Sequence, residues 1–398
     1  MRRVNPQKLR RSLLLGALIG IFGIIVWTRL AWHQGRVQSV VPTTYAVKKA
    51  PLAFHTLAGS AEIAMPNGPV LYAKNVNQKR PIASTTKIMT AYLVLKDSKV
   101  PLNQVVTVTS RDATNYKKGL LKADSEVPLA PGQRITVRDL LWALMLPSAD
   151  DAAWTLSRVV AGHATHFVAL MNREASRLGM RSTHYLDPDG VNFNAYSTAK
   201  DLLKLTTAAL KNHEFRVLVG TKKHHTASFG ELTNLNQLLG VYPGAYGVKT
   251  GWTPSAGSCL VFAANRRVGG DQRLTLYGVV LGEPGFRRMF WDVRNLLNTG
   301  FRLPYQTLIP RNAVVAKIRV PAAGGSHWIN LSIRRGLGSF ETGGRATVDW
   351  HWAQLPSSWG VGTIMGRCRL VYPNSRPPGP WVNIVADQGF TRPWWMGL

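Results

Sequence analysis

The hydrophobic pattern begins with one long apolar stretch. Residues 13–32 are mostly apolar and follow a basic flank at residues 1–11. About 20 apolar residues span roughly 30 Å as a helix, which is enough for one membrane crossing. The basic flank predicts that the amino terminus lies inside and the rest of the chain outside. We therefore predict an uncleaved transmembrane anchor over residues 1–32, and a cleaved signal peptide is the alternative.

Strand-like and helix-like periods alternate through the central region. Residues 33–54 show no clear period and are predicted to be a juxtamembrane linker. Short strands at 61–65 and 69–72 precede a helix that opens near residue 84, and further helices are predicted at 136–145, 151–161, 165–178 and 198–210. An extended segment at 247–252 and apolar runs at 258–264 and 274–281 predict an antiparallel meander, which a helix at 286–297 closes. Residues 55–303 are thus predicted to form an α/β domain, with an antiparallel sheet and a helical subdomain.

Helical periods disappear from Pro304 onward. Five strand-length segments separated by glycine and proline turns predict a small all-β domain over residues 304–398. This region is rich in tryptophan. A sheet core accounts for most of these side chains, while glycan stacking or a membrane-facing rim is the alternative.

Charge narrows the choice of partners. Lysine and arginine number 49 against 20 acidic residues, a formal net charge of +29. This excess favours nucleic acid, acidic lipid or an anionic wall polymer. The basic residues are scattered and no nucleic-acid motif is present, so nucleic acid is not predicted as a partner.

Cysteine and histidine give no sign of a metal or cofactor. The histidine pairs at 163/166 and 224/225 have no carboxylate or thiolate at metal-ligand spacing, so we predict neither metal nor cofactor. Cys259 and Cys368 are interpreted as two buried thiols, with a disulfide as the alternative.

Candidate chemistry begins at Ser84-Thr-Thr-Lys87. Residues three apart share one face of a helix, so the Lys87 amine would lie within reach of the Ser84 hydroxyl. A serine is a poor nucleophile until a neighbouring base takes its proton, and a desolvated lysine can be that base. Taken alone, the motif is more typical of a helix cap followed by a solvated charge.

Two further motifs make the combination specific. Ser148-Ala149-Asp150 follows a proline that ends a helix, and Lys249-Thr250-Gly251 lies on a predicted strand. A Ser-x-x-Lys, Ser-x-Asn-like and Lys-Thr-Gly set, in helix, loop and strand context, is the pattern of penicillin-binding proteins and class A β-lactamases. Singly, Ser148 is better explained as a helix cap and Lys249 as an exposed strand charge.

Longer segments sharpen this similarity. Residues 80–90, 234–239 and 242–253 resemble the serine-type D-alanyl-D-alanine carboxypeptidases, the low-molecular-mass penicillin-binding proteins. The resemblance covers about residues 56–303. It implies a penicillin-binding/β-lactamase-like transpeptidase fold on the outer side of a bacterial cytoplasmic membrane. It also implies stem peptides ending in D-Ala-D-Ala as substrates and β-lactam antibiotics as acylating inhibitors.

The resemblance assigns a role to each motif. Ser84 would be the nucleophile, Lys87 its general base and Ser148 a proton relay towards the leaving amine. Lys249 and Thr250 would bind the terminal carboxylate. The remaining predicted substrate-binding residues are Asp150, Gly251, where the substrate backbone approaches, and Trp252, whose backbone N–H joins that of Ser84 in the oxyanion hole.

Asp150 departs from the family pattern, which has asparagine there. An amide both donates and accepts, whereas an ionised carboxylate only accepts. Its charge would also favour the ammonium form of Lys87. One hypothesis is an enzyme that is slow at pH 7 or has lost turnover. The other is that Asp150 is protonated, or works in an acidic medium, and so mimics asparagine.

Two alternatives come from other functional classes. A class A β-lactamase needs a deacylating glutamate in a Glu-x-x-Leu-Asn context, which Glu174 lacks and Glu231 offers only out of register. A membrane-tethered, non-catalytic wall-binding or penicillin-sensing protein would fit Asp150 and the tryptophan-rich C-terminal region.

Overall fold

The described residues divide into two compact units. The computed structural model describes residues 37–391 except 67, 97–98, 113–124, 269–272 and 373–378. One unit is Ala50–Pro304, and the other combines the described residues up to Lys49 with those from Tyr305 onward. The predicted transmembrane anchor lies outside the described residues. Within them, no helix has the length and apolar character needed to cross a membrane.

An antiparallel sheet forms the strand layer of the 50–304 unit. Two short strands precede this unit in the chain: β1 (Val37–Ser39) and β2 (Thr44–Ala46). The strands within the unit are β3 (Ser60–Ala64), β4 (Val70–Lys74), β5 (Val105–Thr107), β6 (Arg134–Thr136), β7 (Lys223–Thr226), β8 (Gly230–Thr233), β9 (Ala245–Thr253), β10 (Gly257–Arg267) and β11 (Arg273–Glu283). Five of them pair in the order β4-β3-β11-β10-β9. The long β9–β10–β11 meander corresponds to the predicted extended segment and the two apolar runs that follow it, and β9 lies at the edge of the sheet.

Helices cover this sheet and carry the nucleophile. They are α1 (Lys87–Lys96), α2 (Val137–Met145), α3 (Asp150–Ala161), α4 (Ala164–Arg177), α5 (Ala199–Ala209), α6 (His213–Gly220) and α7 (Phe286–Gly300). The Thr136 and Thr198 side chains cap α2 and α5 by accepting the N–H groups of Asp139 and Asp201. Such threonine caps explain why the starts of these helices were predictable from sequence.

A continuous apolar core joins the helices to the sheet. It includes residues of α1, α2 and α3 together with β9, β10 and β11, most of them fully buried. The centrally placed α1 contacts α2, α3 and α5. This burial fixes the start of α1, and with it Ser84 and Lys87, in a rigid setting.

The second unit is all β, and it includes part of the predicted linker. Its further strands are β12 (Tyr305–Ile309), β13 (Val314–Ala322), β14 (Gly325–Ile333), β15 (Leu337–Phe340), β16 (Arg345–Trp352), β17 (Ile364–Val371) and β18 (Val382–Ala386). A seven-stranded sheet has the order β1-β13-β14-β18-β17-β16-β2. Residues 37–46 therefore form edge strands, where a linker was predicted. Three-residue strands are too short to show a period, which explains the error.

Chain connectivity requires this sheet to curl. β1 and β2 lie at opposite edges, yet only residues 40–43 connect them. Five residue steps reach at most about 18 Å, whereas the edges of seven flat strands would be about 29 Å apart. The sheet must therefore bend into a partly closed barrel around its own apolar core, which contains the buried free thiol of Cys368. Cys259, in the other unit, is likewise a buried free thiol, as the sequence interpretation favoured.

Candidate active site

Ser84 lies on a tight turn that leads directly into α1. Ala83–Thr86 form a single 3₁₀ turn, and Lys87 is the first residue of the helix that follows. The Lys87 Nζ donates a hydrogen bond of 2.8 Å to the Ser84 Oγ. The three-residue spacing thus places amine and hydroxyl in contact, as the helical geometry predicted.

Lys87 is fully buried, and its amine has three hydrogen-bond acceptors. Besides Ser84 Oγ, these are Asp150 Oδ1 at 2.5 Å and the backbone oxygen of Asp189 at 2.9 Å. An ammonium has three N–H donors, so this arrangement satisfies all of them. The geometry therefore suits a protonated Lys87, which must lose a proton before it can act as a base.

Ser148 points into the same site from the loop between α2 and α3. Its φ of 72° is unusual for a residue with a side chain, and such strain is typical of functional loops. The Oγ is buried and has no hydrogen-bond partner among the described atoms. The N-cap of α3 is Ala149, without a side-chain cap. The capping explanation for Ser148 is therefore wrong, and its hydroxyl is available to a substrate.

Two buried carboxyl groups lie near enough to Lys87 to interact with its charge. Burial raises the pKa of Asp150 to about 6; the charge of Lys87 opposes this shift, and that of Asp189 adds to it. Burial raises the pKa of Asp189 to about 7, with a further contribution from Asp187. The Asp189 Oδ2 accepts a 2.6 Å hydrogen bond from the indole N–H of Trp154. Asp189 was not predicted, because the hydrogen bond from Lys87 is accepted by its backbone oxygen, and such a contact leaves no side-chain motif.

The Lys-Thr-Gly motif lies on the edge strand β9, against the nucleophile turn. A Cβ added at Gly251 would come within 2.9 Å of the Ser84 nitrogen and 3.0 Å of the Thr85 nitrogen. Glycine is therefore needed for the strand to pack against the backbone of the turn. The family resemblance assigns Gly251 to close approach of the substrate. The structure shows that Gly251 also permits close packing of β9 against the backbone of the nucleophile turn.

Lys249 is buried beneath the site and does not line the cavity. Its Nζ donates to the backbone oxygen of Thr250 at 3.2 Å. Burial lowers the pKa of Lys249, and the charge of Lys87 acts in the same direction. The explanation of Lys249 as an exposed strand charge is therefore wrong, since only 1% of the residue is exposed.

One cavity of about 370 Å³ joins these segments. Its lining includes six of the predicted residues: Ser84, Ser148, Asp150, Thr250, Gly251 and Trp252. The other lining residues were not predicted: Ser125, Val191, Leu235, Gln237, Thr253, Phe286 and Phe290. Most of these are apolar or uncharged, and no short motif distinguishes such residues from ordinary core or loop positions.

Comparisons with known proteins agree with this geometry. The sequence profile of the D-alanyl-D-alanine carboxypeptidases, peptidase family S11, matches residues 49–285. The D-alanyl-D-alanine carboxypeptidase of Streptomyces sp. strain K15 is 38% identical over 266 residues, which cover 62% of this chain and 89% of the relative. The crystal structure of the Streptomyces K15 DD-transpeptidase shares 36% identity at a TM-score of 0.57. That match covers 65% of this chain and 100% of the other.

A more distant structure extends the fold similarity beyond the catalytic region. The D-alanyl-D-alanine carboxypeptidase DacD from Francisella tularensis has a TM-score of 0.57 at 20% identity, and the match covers 86% of this chain and 96% of the other. At this identity the match shows the fold alone. With the family profile across more than half of its length, and with the three motifs at one cavity, this chain belongs to the D-alanyl-D-alanine carboxypeptidase family of serine peptidases.

Proposed function

We propose that the protein is a serine-type D-Ala-D-Ala carboxypeptidase that removes the terminal D-alanine of peptidoglycan stem peptides. The observation that carries the proposal is the 2.8 Å contact between Lys87 and Ser84 at the base of a cavity that Ser148 and the Lys-Thr-Gly strand complete. Ser84 Oγ attacks the carbonyl carbon of the penultimate D-alanine while neutral Lys87 takes its proton. The product of this step is a tetrahedral intermediate.

Collapse of the intermediate breaks the C–N bond. The proton held by Lys87 passes to the leaving amine, and the buried, unpartnered Ser148 hydroxyl is placed to relay it. D-Alanine leaves, and the shortened peptide remains as an ester on Ser84. Water then attacks the carbonyl carbon of this ester while Lys87 accepts a proton from the water. The C–O bond to Ser84 breaks, Lys87 returns the proton to the Ser84 Oγ, and the shortened peptide leaves as a carboxylic acid.

Backbone donors would stabilise the negative oxygen of the intermediate. The family uses the N–H groups of the nucleophile and of the residue after Lys-Thr-Gly, here Ser84 and Trp252. The close approach of Gly251 to the Ser84 nitrogen supports this assignment, because it brings both backbones to one end of the cavity. Each such donor contributes roughly 10²–10³ in rate. Thr250 and the positive potential of Lys249 would hold the terminal carboxylate.

Asp150 is the feature that sets this site apart from its family. The raised pKa, about 6, means that a substantial fraction is protonated in a mildly acidic medium. A protonated Asp150 can donate a hydrogen bond as asparagine does. This direction supports the hypothesis of a site that tolerates aspartate through burial. The competing hypothesis is that an ionised Asp150 holds Lys87 as an ammonium at pH 7 and makes the enzyme slow.

The glutamates considered for a β-lactamase lie away from the cavity. Glu174 pairs with Lys96 and Arg177, and Glu231 pairs with Lys223. Among the described residues that line the cavity there is no glutamate. Rapid turnover of penicillin is therefore not expected, whereas a long-lived acyl adduct is. A non-catalytic penicillin-sensing protein remains the second candidate, favoured by the Lys87–Asp150 pair.

The proposed location follows from the sequence. The basic flank and the apolar residues 13–32 support a single-pass anchor in a bacterial cytoplasmic membrane, with both compact units outside. The net charge of +29 supports attraction to anionic wall polymers.

Release of D-alanine from a pentapeptide ending in D-Ala-D-Ala tests the proposal. The wild-type protein should release one D-alanine per peptide, and Ser84→Ala should release none. A wild-type protein that binds the peptide and releases no D-alanine between pH 5 and 9 would support the non-catalytic alternative.

A further inference from the structure

Large apolar side chains are exposed around the mouth of the cavity. Leu235 is 46% exposed, Trp252 41% and Phe286 42%, and all three line the cavity. They come from three different segments: the loop before β9, β9 itself and the first turn of α7. Phe290 lies one helical turn after Phe286, is buried, and lines the same side of the cavity as Phe286.

Clustering of this kind indicates binding. Single exposed apolar residues are ordinary, but several that converge on one concave site mark a surface that a ligand covers. The catalytic end of the cavity has polar side chains, Ser84, Ser148 and Asp150, whereas this mouth is apolar. The two ends therefore suit different parts of one substrate.

The direction of the substrate follows from the sheet edge. Among the strands that the structure describes, β9 pairs with β10 alone, so its other side can accept an extended peptide. The leaving D-alanine would lie near Lys249 and Thr250. The acyl part of the peptide then continues past Trp252, towards Phe286.

We propose that Leu235, Trp252 and Phe286 form an apolar subsite that selects stem peptides whose residue before the acylated D-alanine has an uncharged side-chain end. This inference rests on the proposed function and names the substrate class: peptides whose third-residue amine or carboxyl is acylated or amidated. A free charge would lose water against indole and phenyl surfaces without a partner.

Electrostatics does not reverse this preference. Among the described lining residues the one charged side chain is Asp150, which lies at the catalytic end beside Lys87. A free ammonium over the Trp252 indole would gain only a few-fold in affinity at an exposed site, and the net charge of +29 disfavours cationic substrates. The same charge attracts an anionic end only through long-range interactions that salt screens, and these do not offset the loss of water from a carboxylate against apolar side chains. Covering an apolar acyl group in such a pocket is worth roughly tenfold or more in kcat/KM.

Three peptides that differ at a single atom group test the subsite. Nα-acetyl-L-Lys-D-Ala-D-Ala is prepared with the side-chain amine free, acetylated or succinylated, which gives a positive, neutral or negative end. The wild-type kcat/KM for D-alanine release should be about tenfold higher for the acetylated peptide than for either charged one. Phe286→Ser should reduce this ratio below about threefold, mainly by slowing the acetylated peptide, and Phe286→Leu should retain most of it.

Trp291 provides the matched control. It lies on the same helix and is 54% exposed, but it does not line the cavity and has Arg288 stacked on its ring. Trp291→Ser should therefore keep the wild-type ratio. Equal kcat/KM for the three peptides, preference for a charged one, or an equal loss in the Trp291 variant would overturn the subsite. Absence of D-alanine release from every peptide would instead refute the proposed function.

Discussion

Replacing Asp150 with asparagine changes the charge next to the catalytic lysine while keeping its shape. The Asp150 Oδ1 lies 2.5 Å from the Lys87 Nζ, and both side chains are buried. An ionised Asp150 favours the ammonium form of Lys87. In Asp150→Asn the neutral amine becomes more populated near pH 7, and the new amide can donate to the substrate. We therefore expect faster acylation of Ser84 at neutral pH.

The size of the effect follows from the charges involved. Two unit charges 4 Å apart attract by about 4 kcal/mol at an effective dielectric constant near 20, and 1.36 kcal/mol corresponds to one pH unit. Asparagine keeps an accepting oxygen, and Lys249 and Asp189 continue to act on the site. The midpoint of the alkaline rise in acylation rate should therefore fall by about 1–3 pH units. The rate at pH 7 should increase about tenfold or more, less than the gain in neutral amine, because the amine is then a weaker base.

Single-turnover acylation by a fluorescent penicillin, measured from pH 5 to 10, provides the profile. Asp151→Asn is the matched control, because Asp151 is a neighbouring buried carboxyl that accepts backbone N–H groups and makes no contact with Lys87. Its profile should keep the wild-type midpoint within about half a pH unit. An Asp150→Asn profile that coincides with wild type from pH 5 to 10 would refute this prediction, because an Asp150 that ionises near pH 6 must act on Lys87 above that pH.

Three further predictions address other parts of the site. Gly251→Ala should slow acylation about 100-fold, since the new methyl displaces the nucleophile backbone. The control Gly285→Ala should keep the wild-type rate, because a Cβ at that position meets no atom within 4 Å. Equal acylation rates in the two variants would contradict the packing argument. Trp154→Phe removes the donor to Asp189 and should slow acylation a few-fold and move its pH midpoint; an unaltered profile would show that this hydrogen bond does not position the lysine. Burial raises the pKa of Asp151 to about 7, so the folded state favours the protonated carboxyl. The stability that this protonated group contributes is fully present below pH 4 and is lost as pH rises through 7. In urea unfolding, the free energy of unfolding of wild type should therefore fall by roughly 2–3 kcal/mol relative to that of Asp151→Asn between pH 5 and 8, and a difference that stays constant with pH would contradict the shift.

The sequence allowed prediction of those parts of the fold that depend on local chemistry. The threonine caps of α2 and α5 and the long apolar runs of β10 and β11 have signals within a few residues. The three-part motif likewise identified the polar end of the cavity. Local chemistry and motif spacing are both visible without tertiary contacts.

The parts that sequence reasoning missed depend on distant partners. β1 and β2 are stabilised by pairing with β13 and β16, some 270–300 residues later in the chain. Asp189 contacts Lys87 through its backbone oxygen. Ser148 does not cap α3, because the N-cap residue of that helix is Ala149. The apolar mouth of the cavity is assembled from three segments whose residues look ordinary one at a time.

The account depends most directly on Ser84 as the covalent nucleophile. Wild-type protein incubated with a penicillin and digested with a protease should give one modified peptide, with the added mass on Ser84. The same treatment of Ser84→Ala should give none. Modification of another residue, or no adduct on folded wild-type protein at any pH from 5 to 10, would contradict the central claim.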